Sequence, residues 1–162
     1  MKNELEYKEE QDIIYIKAQG QITANNCYIL RKRIFDRLEH NPVIRDIFAD
    51  LSDCSYMDST FMGILIGVNK KFKSTSGKKI NIICPSTECC RLFESLGISK
   101  LLQMQQAAVR FPPHMEVIST YNKPSIYTIL RAHEDLMETS HENKSKFRLL
   151  REILEKKINQ EE

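Results

Sequence analysis

The chain has 162 residues, of which 41% are hydrophobic and 28% charged, and its formal net charge is +2. This composition is ordinary for a globular protein and supplies enough apolar material for a core without a disulfide or a metal. No lysine- and arginine-rich block resembles a nucleic-acid-binding arm. No apolar stretch is long enough to cross a membrane, and the N-terminus lacks the hydrophobic segment of a secretory signal. We therefore expect a cytoplasmic protein with no nucleic-acid partner and no membrane span.

The cysteines and histidines form no pattern typical of a metal site or a catalytic centre. The five cysteines are odd in number and lack CxxC spacing, so we expect reduced thiols rather than a disulfide framework or a zinc site. The four histidines lack HExxH or comparable ligand spacing. We expect His133 and His141 to be surface residues or fillers of an apolar stripe. No triad, dyad or phosphate-binding glycine loop is apparent, so we expect no metal, no cofactor and no enzymatic activity.

The first half of the chain alternates strands and helices. Residues 4–8 alternate weakly and predict an edge strand, which a turn connects to residues 13–18. That second run is β-branched and apolar on both parities, which is typical of a central strand covered on both faces. Apolar residues at helical spacing then predict a helix over residues 27–38, and residues 44–51 predict the next strand.

The same alternation continues to about residue 110. The further elements are a helix at residues 59–74 with Gly77 as a left-handed cap, a strand at 79–84, a helix at 85–96 and a strand at 101–104. Strands that alternate with helices require crossover connections, which favour parallel pairing. We predict an α/β domain over residues 1–110, in which helices pack on a small mixed, mostly parallel sheet.

A helical extension follows the domain. Residues 111–122 contain two prolines and then an irregular segment, and we interpret them as a linker. Residues 123–162 form an apolar stripe that fits one long helix or two joined near Ser140, where residues 139–142 match a capping box; we slightly favour one helix. The stripe must pack on the domain, on a second copy or on another protein. We expect it to act in homodimerisation or partner specificity.

The strand-to-helix junction within residues 54–63 is the main candidate site. Asp58, Ser59 and Thr60 fall where the helix begins, and short side-chain oxygens there accept bonds from free N–H groups of the first turn. A helix N-terminus also carries partial positive charge, which favours a phosphate. The junction therefore fits either a plain helix cap or a phosphorylation site. We expect Met62 to be buried and Phe61 to be partly exposed, as an anchor for a partner.

The junction resembles a known signature. Met57-Asp-Ser-Thr60 at a strand-to-helix junction is similar to the motif of STAS domains of the anti-sigma-factor antagonist type. Gly20-Gln-Ile-Thr23, after a central strand, resembles that family's Gly-Glu-Leu-Asp-like segment. Further similarities are Gly63 and Gly67 in the second helix and residues 92–98 at the end of the third. The resemblance covers roughly residues 4–110.

This resemblance implies a bacterial partner-switching regulator of transcription. Unphosphorylated members of the family bind a serine kinase that is also an anti-sigma factor, and so release the sigma factor. Phosphorylated members dissociate, and a PP2C-type phosphatase resets them. The serine after the motif aspartate is the modified residue, which corresponds to Ser59. The partner-binding residues that the resemblance implies are Asp58, Thr60 and Phe61 at the junction and Gly20, Gln21, Ile22 and Thr23 in the other segment.

Two departures from the family pattern concern partner choice. Phe61 stands where the family often has glycine, and Thr23 replaces an acidic residue common on the binding surface. Two other functions fit a STAS-like domain. One is a scaffold that assembles a complex through the C-terminal helix, with Ser59 never modified. The other is an accessory domain in ligand sensing or lipid transport.

Overall fold

The computed structural model describes residues 2–40, 42–119 and 124–161. Residues 120–122 of the predicted linker and residue 123 of the predicted extension lie outside the described residues. The strands are β1 (Glu4–Glu10), β2 (Ile13–Ile22), β3 (Asp46–Met57), β4 (Asn81–Ile83), β5 (Gln103–Gln105) and β6 (Glu116–Val117). The helices are α1 (Tyr28–Leu38), α2 (Ser59–Ser76), α3 (Thr87–Ser95), α4 (Ile126–Met137) and α5 (His141–Glu161), with a 3-10 helix at Ser99–Leu101.

The described strands form one six-stranded sheet in the order β5-β4-β3-β2-β1-β6. The pairs β2–β3, β3–β4 and β4–β5 are parallel, and β1 is antiparallel to both β2 and β6. The predicted α/β class and the mixed, mostly parallel sheet are thereby confirmed. The antiparallel β1–β2 hairpin closes on the predicted turn, where Gln11 and Asp12 have φ angles of 53° and 64°, as a tight hairpin turn requires.

One face of the sheet carries the core. Along β2, Ile14, Ile16 and Ala18 are fully buried, whereas the alternate side chains are half-buried. The prediction that this strand is covered on both faces is therefore only partly right. On the less buried face, Tyr15 stacks on Phe48 with ring centroids 5.8 Å apart and meets Phe111 edge-on.

Helix α2 is the central helix of the fold. Every residue from Thr60 to Asn69 is buried, because α2 packs between α1 and α4 as well as against the sheet. A helix that is apolar around most of its circumference needs such cover. It ends at Gly77, which has a φ of 74° and donates its N–H to the Lys73 carbonyl at 2.8 Å, so the predicted left-handed cap is confirmed.

The C-terminal extension consists of two helices rather than the single helix that we favoured. The Asn143 N–H donates to the Ser140 hydroxyl at 3.0 Å, which makes Ser140 the N-cap of α5. Thr139 instead donates its hydroxyl to the Leu136 carbonyl at 2.6 Å and so helps to end α4. The capping signal in the sequence was therefore real, but the cap lies one residue later than the predicted box.

The segment that follows the predicted domain is integrated with it. Within the predicted linker, β6 pairs with β1 and Ile118 is buried, although the sequence predicts an irregular segment there. In α4, Ala132 and Leu136 are fully buried and belong to the same apolar cluster as the sheet residues. Of the three surfaces on which the stripe was expected to pack, α4 therefore uses the domain itself.

Candidate functional site

The two predicted site segments meet at one edge of the sheet. Because β2 and β3 are parallel, their C-terminal ends lie side by side, with Ile22 opposite Met57 and Gln21 opposite Tyr56. The Asp58 N–H extends this contact by donating to the Ile22 carbonyl at 3.1 Å. The fold thus brings residues 20–23 against the junction where α2 begins.

Asp58 connects the two segments through its side chain. It is the N-cap of α2, and its Oδ1 accepts from the Phe61 N–H at 2.9 Å. Its Oδ2 accepts from the Ala24 N–H at 2.8 Å. One carboxylate therefore caps the helix and also fixes the loop between β2 and α1. The helix-cap function of Asp58 is directly visible in this geometry.

Asn26 organises the β2–α1 loop and was not identified from the sequence. Its side chain is 3% exposed; its Nδ2 donates to the Gln21 carbonyl at 3.0 Å and its Oδ1 accepts from the Thr23 N–H at 2.8 Å. Asparagine often bonds to nearby backbone in this way, so its position in a polar connection was the available signal. Gly20 has a φ of 72°, and a Cβ there would lie 3.1 Å from the Lys2 carbonyl carbon, which explains the need for glycine.

Ser59 is half-buried in the first turn of α2 and contacts a residue of the C-terminal extension. Its Oγ lies 2.7 Å from Nε2 of His133. The other ring nitrogen, Nδ1, lies 2.7 Å from the Ile129 carbonyl. A carbonyl oxygen only accepts hydrogen bonds, so Nδ1 must carry a proton. In the neutral ring, Nε2 then has no proton and accepts a hydrogen bond from the Ser59 hydroxyl.

The environment of His133 favours its neutral form. The side chain is 1% exposed, and the Phe147 ring of α5 packs edge-on against it with centroids 5.0 Å apart. Burial lowers the pKa of His133, against the smaller opposing effects of the Ile129 hydrogen bond and the Asp58 charge. A position on the apolar stripe of α4 was the only sequence signal, and it gave no indication of a contact with Ser59.

The residues just after Ser59 lie beneath the surface. Phe61 is 0% exposed and Thr60 is 4% exposed, so the prediction that Phe61 is partly exposed is wrong. The physical reason is that α2 is covered on several sides, and its first turn already faces the core. Met62 is buried as predicted, and Ile22 is also fully buried. The side chains that remain accessible are Gln21, Asn25 and Tyr56, with Thr23, Asp58 and Ser59 half-buried.

The described residues contain neither a metal-binding cluster nor a membrane-spanning helix. Residues 2–40, 42–119 and 124–161 contain no group of three or more His, Cys, Asp or Glu side chains that could hold a metal ion. None of the helices in these ranges is long and apolar enough to cross a membrane.

The profile of the STAS domain family matches residues 4–109. The chain therefore belongs to the STAS domain family, as the motif at Met57–Thr60 suggested. Helices α4 and α5 lie beyond the matched region.

Relatives of the chain carry the name of one class of regulator. The anti-sigma-B factor antagonist of Bacillus subtilis (strain 168) is 26% identical over 100 residues, which are 62% of this chain and 88% of that protein. The anti-sigma-B factor antagonist of Staphylococcus aureus (strain NCTC 8325 / PS 47) is 36% identical over 62 residues, 38% of this chain and 56% of that protein. Both names describe a protein that antagonises another factor rather than an enzymatic activity, in agreement with the expectation that this chain is not an enzyme.

A solved structure shares the fold. The anti-sigma factor antagonist SpoIIAA in its unphosphorylated form superimposes with a TM-score of 0.54 at 16% identity. The superposition covers 64% of this chain and 89% of that one.

Proposed function

We propose that this protein is a bacterial anti-sigma-factor antagonist that binds an anti-sigma serine kinase while Ser59 is unphosphorylated. The observation that carries the proposal is the position of Ser59. It stands in the first turn of α2, next to the capping Asp58, where residues 20–23 join the junction. Membership of the STAS family and the names of the bacterial relatives support the same function. The protein would act in the cytoplasm, and a PP2C-type phosphatase would return it to the binding form.

A phosphate on Ser59 would change the charge of the partner surface. It adds about −1.5 to −2 charges and three acceptor oxygens. Free N–H groups in the first turn of α2 offset part of that charge, but Asp58 already uses the Phe61 N–H and its carboxylate repels the phosphate. A partner groove shaped for a neutral hydroxyl would have to desolvate the new charge, which is costly without a cation. Phosphorylation should therefore release the partner.

The accessible side chains at this edge would form the rest of the partner surface. Gln21, Asn25 and Tyr56 are exposed, and Thr23 is half-buried beside them. The buried side chains would act indirectly, by setting the position of α2 and the end of β2. These side chains are Phe61, Thr60 and Ile22. Substitution of Phe61 would therefore change partner binding through the shape of the surface rather than through direct contact.

The phosphorylation is tested by incubation with ATP and each ATP-binding anti-sigma kinase encoded in the same genome. We expect a gain of one phosphate, mapped to Ser59 by peptide mass spectrometry, and no gain in Ser59→Ala. Modification of another residue, or of none with every kinase, would reject the proposal and favour a STAS domain that does not switch.

The binding step is tested with Ser59→Asp and the matched variant Ser145→Asp, which places the same charge on an exposed residue of α5. Ser59→Asp should retain the circular-dichroism spectrum but no longer bind the kinase, whereas Ser145→Asp should retain both the spectrum and the binding. Unfolding of Ser59→Asp would mean that the site controls folding rather than binding.

A scaffold function is the second candidate, and one observation favours it. On α5, Leu149 is 68% exposed and Ile153, one helical turn later, is 44% exposed. Such a pair could join a second copy of the chain or another protein. Sedimentation of the full chain and of Leu149→Lys tests for a second copy. If this face holds a dimer together, the substitution should lower the mass in solution; if it binds another protein, the mass should not change.

A further inference from the structure

Helix α4 covers the face of α2 that begins with Ser59. Along α2, Ser59, Gly63, Gly67 and Lys70 follow one another at steps of three or four residues and therefore share a face. Each of them meets a residue of the extension. Ser59 bonds to His133, Gly63 faces Ala132, Gly67 faces Asp135, and Lys70 pairs with Glu138.

The two helices approach more closely than ordinary side chains permit. A Cβ added to Gly63 would lie 2.6 Å from the carbonyl carbon of Ala132, which is backbone and cannot move aside alone. A Cβ on Gly67 would overlap the Asp135 carboxylate, with Oδ2 as its nearest atom and Cγ at 3.2 Å, but this group is the end of a flexible side chain. The obstacle near Ser59 is backbone, so a single methyl group at Gly63 is enough to disturb the contact.

The docked helix engages the Ser59 hydroxyl, which must be free to react with a phosphoryl donor. Transfer from ATP forms an Oγ–P bond, breaks the bond from the γ-phosphorus to the bridging oxygen of ADP, and passes the hydroxyl proton to a base of the kinase. The reacting groups must lie in line. With α4 docked, the Ser59 hydroxyl points to Nε2 of His133, which is itself buried behind Phe147.

A phosphate on Ser59 would also interact unfavourably with the neutral ring of His133. The Nε2 atom presents a lone pair to Oγ, because Nδ1 holds the ring proton against the Ile129 carbonyl. Phosphate oxygens are acceptors too, so they would meet a second acceptor and the nearby Asp58 carboxylate. Protonation of the ring would relieve the conflict, but the surrounding apolar side chains disfavour a charged imidazolium.

We propose that α4 is an intramolecular cover for Ser59, and that docking of α4 and a phosphoryl group on Ser59 exclude each other. The inference rests on the proposed function and adds its regulation. The kinase binds only molecules in which α4 has left α2, so its apparent affinity is reduced by the fraction that is open. Once Ser59 is modified, α4 stays undocked and the face of α2 with Gly63 and Gly67 becomes exposed.

The first test requires no kinase. Phosphoserine is incorporated at position 59 of the full chain during synthesis, and amide hydrogen exchange is followed in residues 126–137. We expect exchange there at least tenfold faster than in the unmodified chain, with residues 14–18 of β2 unchanged. The matched control carries phosphoserine at Ser145, which is exposed on α5, and should behave like the unmodified chain.

The second test opens the cover without a phosphate. Gly63→Ala leaves Ser59 and His133 intact and should accelerate exchange in residues 126–137, whereas Gly67→Ala should do so much less. Unchanged or slower exchange of α4 with phosphoserine at 59, or equal exchange in the two alanine variants, would overturn the proposal. Loss of protection in β2 as well would also overturn it, because the phosphate would then unfold the domain rather than release α4.

Because the phosphate is introduced synthetically, these results are separate from those of the kinase assay. If no kinase modifies Ser59, the proposed function fails while the mutual exclusion can still be observed. If a kinase does modify Ser59 but α4 stays protected, the proposed function stands and the cover is rejected.

Discussion

At the residue scale, the Ser59 hydroxyl and the buried imidazole of His133 form a hydrogen bond between the STAS region and its extension. The hydrogen bond of 2.7 Å is matched on the other side of the ring by the bond to Ile129. Both nitrogens are therefore satisfied only when the ring is neutral and α4 is docked. The charge of Asp58, the N-cap of α2, acts on the ring and opposes the effect of burial on the pKa of His133.

This contact predicts a pH dependence. Burial lowers the pKa of His133 in the folded protein, so the unfolded or undocked state binds the proton more readily. The docked state should have its full stability above a pH of about 6.5, which is the ordinary pKa of histidine. It should lose stability as the pH falls from there toward the lower pKa of His133 in the folded protein. The slope for one proton is up to about 1.4 kcal/mol per pH unit.

Urea unfolding between pH 8 and pH 5 measures this effect, with His133→Gln as the comparison because glutamine does not titrate. The other histidines contribute equally to both proteins, so the difference between the two curves isolates His133. Identical pH dependence in the two proteins would contradict the assignment of a neutral, buried His133.

Asp58 gives a second prediction at this scale. Asp58→Ala removes the acceptors for both the Phe61 and Ala24 N–H groups, and loss of a helix cap costs about 0.5–2 kcal/mol. We expect a loss near the upper end, because two donors are left unpaired. Asp53→Ala, at an exposed position of β3, should change the free energy of unfolding by less than about 0.5 kcal/mol. Equal losses in the two variants would argue against the double role of Asp58.

At the element scale, the interface between α2 and α4 depends on glycine. Sequence spacing places Gly63 and Gly67 on one face of a helix, which predicts a close approach to the sheet. That prediction is wrong, because this face receives α4, with Gly63 against the Ala132 backbone. Nothing in the local pattern distinguishes a glycine face that meets a helix from one that meets solvent or a partner protein.

The two glycines should respond oppositely to alanine. In a helix, alanine is favoured over glycine by about 0.5–1 kcal/mol. At Gly63, overlap with the Ala132 backbone should outweigh that gain, since overpacking costs about 1–3 kcal/mol. At Gly67 the Asp135 carboxyl can rotate away, so Gly67→Ala should be neutral or stabilising. Denaturant unfolding of both variants checks this, and a Gly63→Ala protein more stable than the parent would refute the close contact.

The order of the elements up to β5 could be predicted from the sequence, because the signals that determine it are local. Hydrophobic periodicity, Gly77 and the polar residues at helix starts act within a few positions. The length of β3 was not predicted correctly, because the strand continues to Met57 rather than ending at residue 51. Ser52 and Asp53 interrupt the apolar pattern, while the backbone continues to pair with β2. The two-residue strand β6 depends on pairing with β1 far away in the chain, which no local pattern reveals.

At the scale of the whole molecule, the extension and the STAS region share one core. Ala132 and Leu136 lie in the apolar cluster of the sheet, and Ile118 joins it from the segment interpreted as a linker. The site could be predicted as far as Asp58 and Ser59, because their motif is local. The burial of Phe61 and the contact of His133 with Ser59 could not, because both depend on how elements distant in the sequence pack around α2.

Removal of residues 123–162 tests this integration. From the sequence we expected a folded domain with altered mass in solution or altered partner choice. Given the shared core, we now expect the truncated domain to retain its sheet but to lose Tm on the order of 10 °C, as a loss of a few kcal/mol implies for a domain of this size. Calorimetry and circular dichroism measure this. An unchanged Tm would mean that α4 contributes no stability to the domain.

We propose that Ser59 is a phosphorylation site and that α4 limits access to it. The most direct measurement is the initial rate at which its anti-sigma kinase places phosphate on Ser59 in the full chain, in Gly63→Ala and in Gly67→Ala. We expect modification of Ser59 in all three proteins, several-fold faster in Gly63→Ala than in the other two. Equal rates would contradict the cover, and absence of phosphate on Ser59 in all three would contradict the function itself.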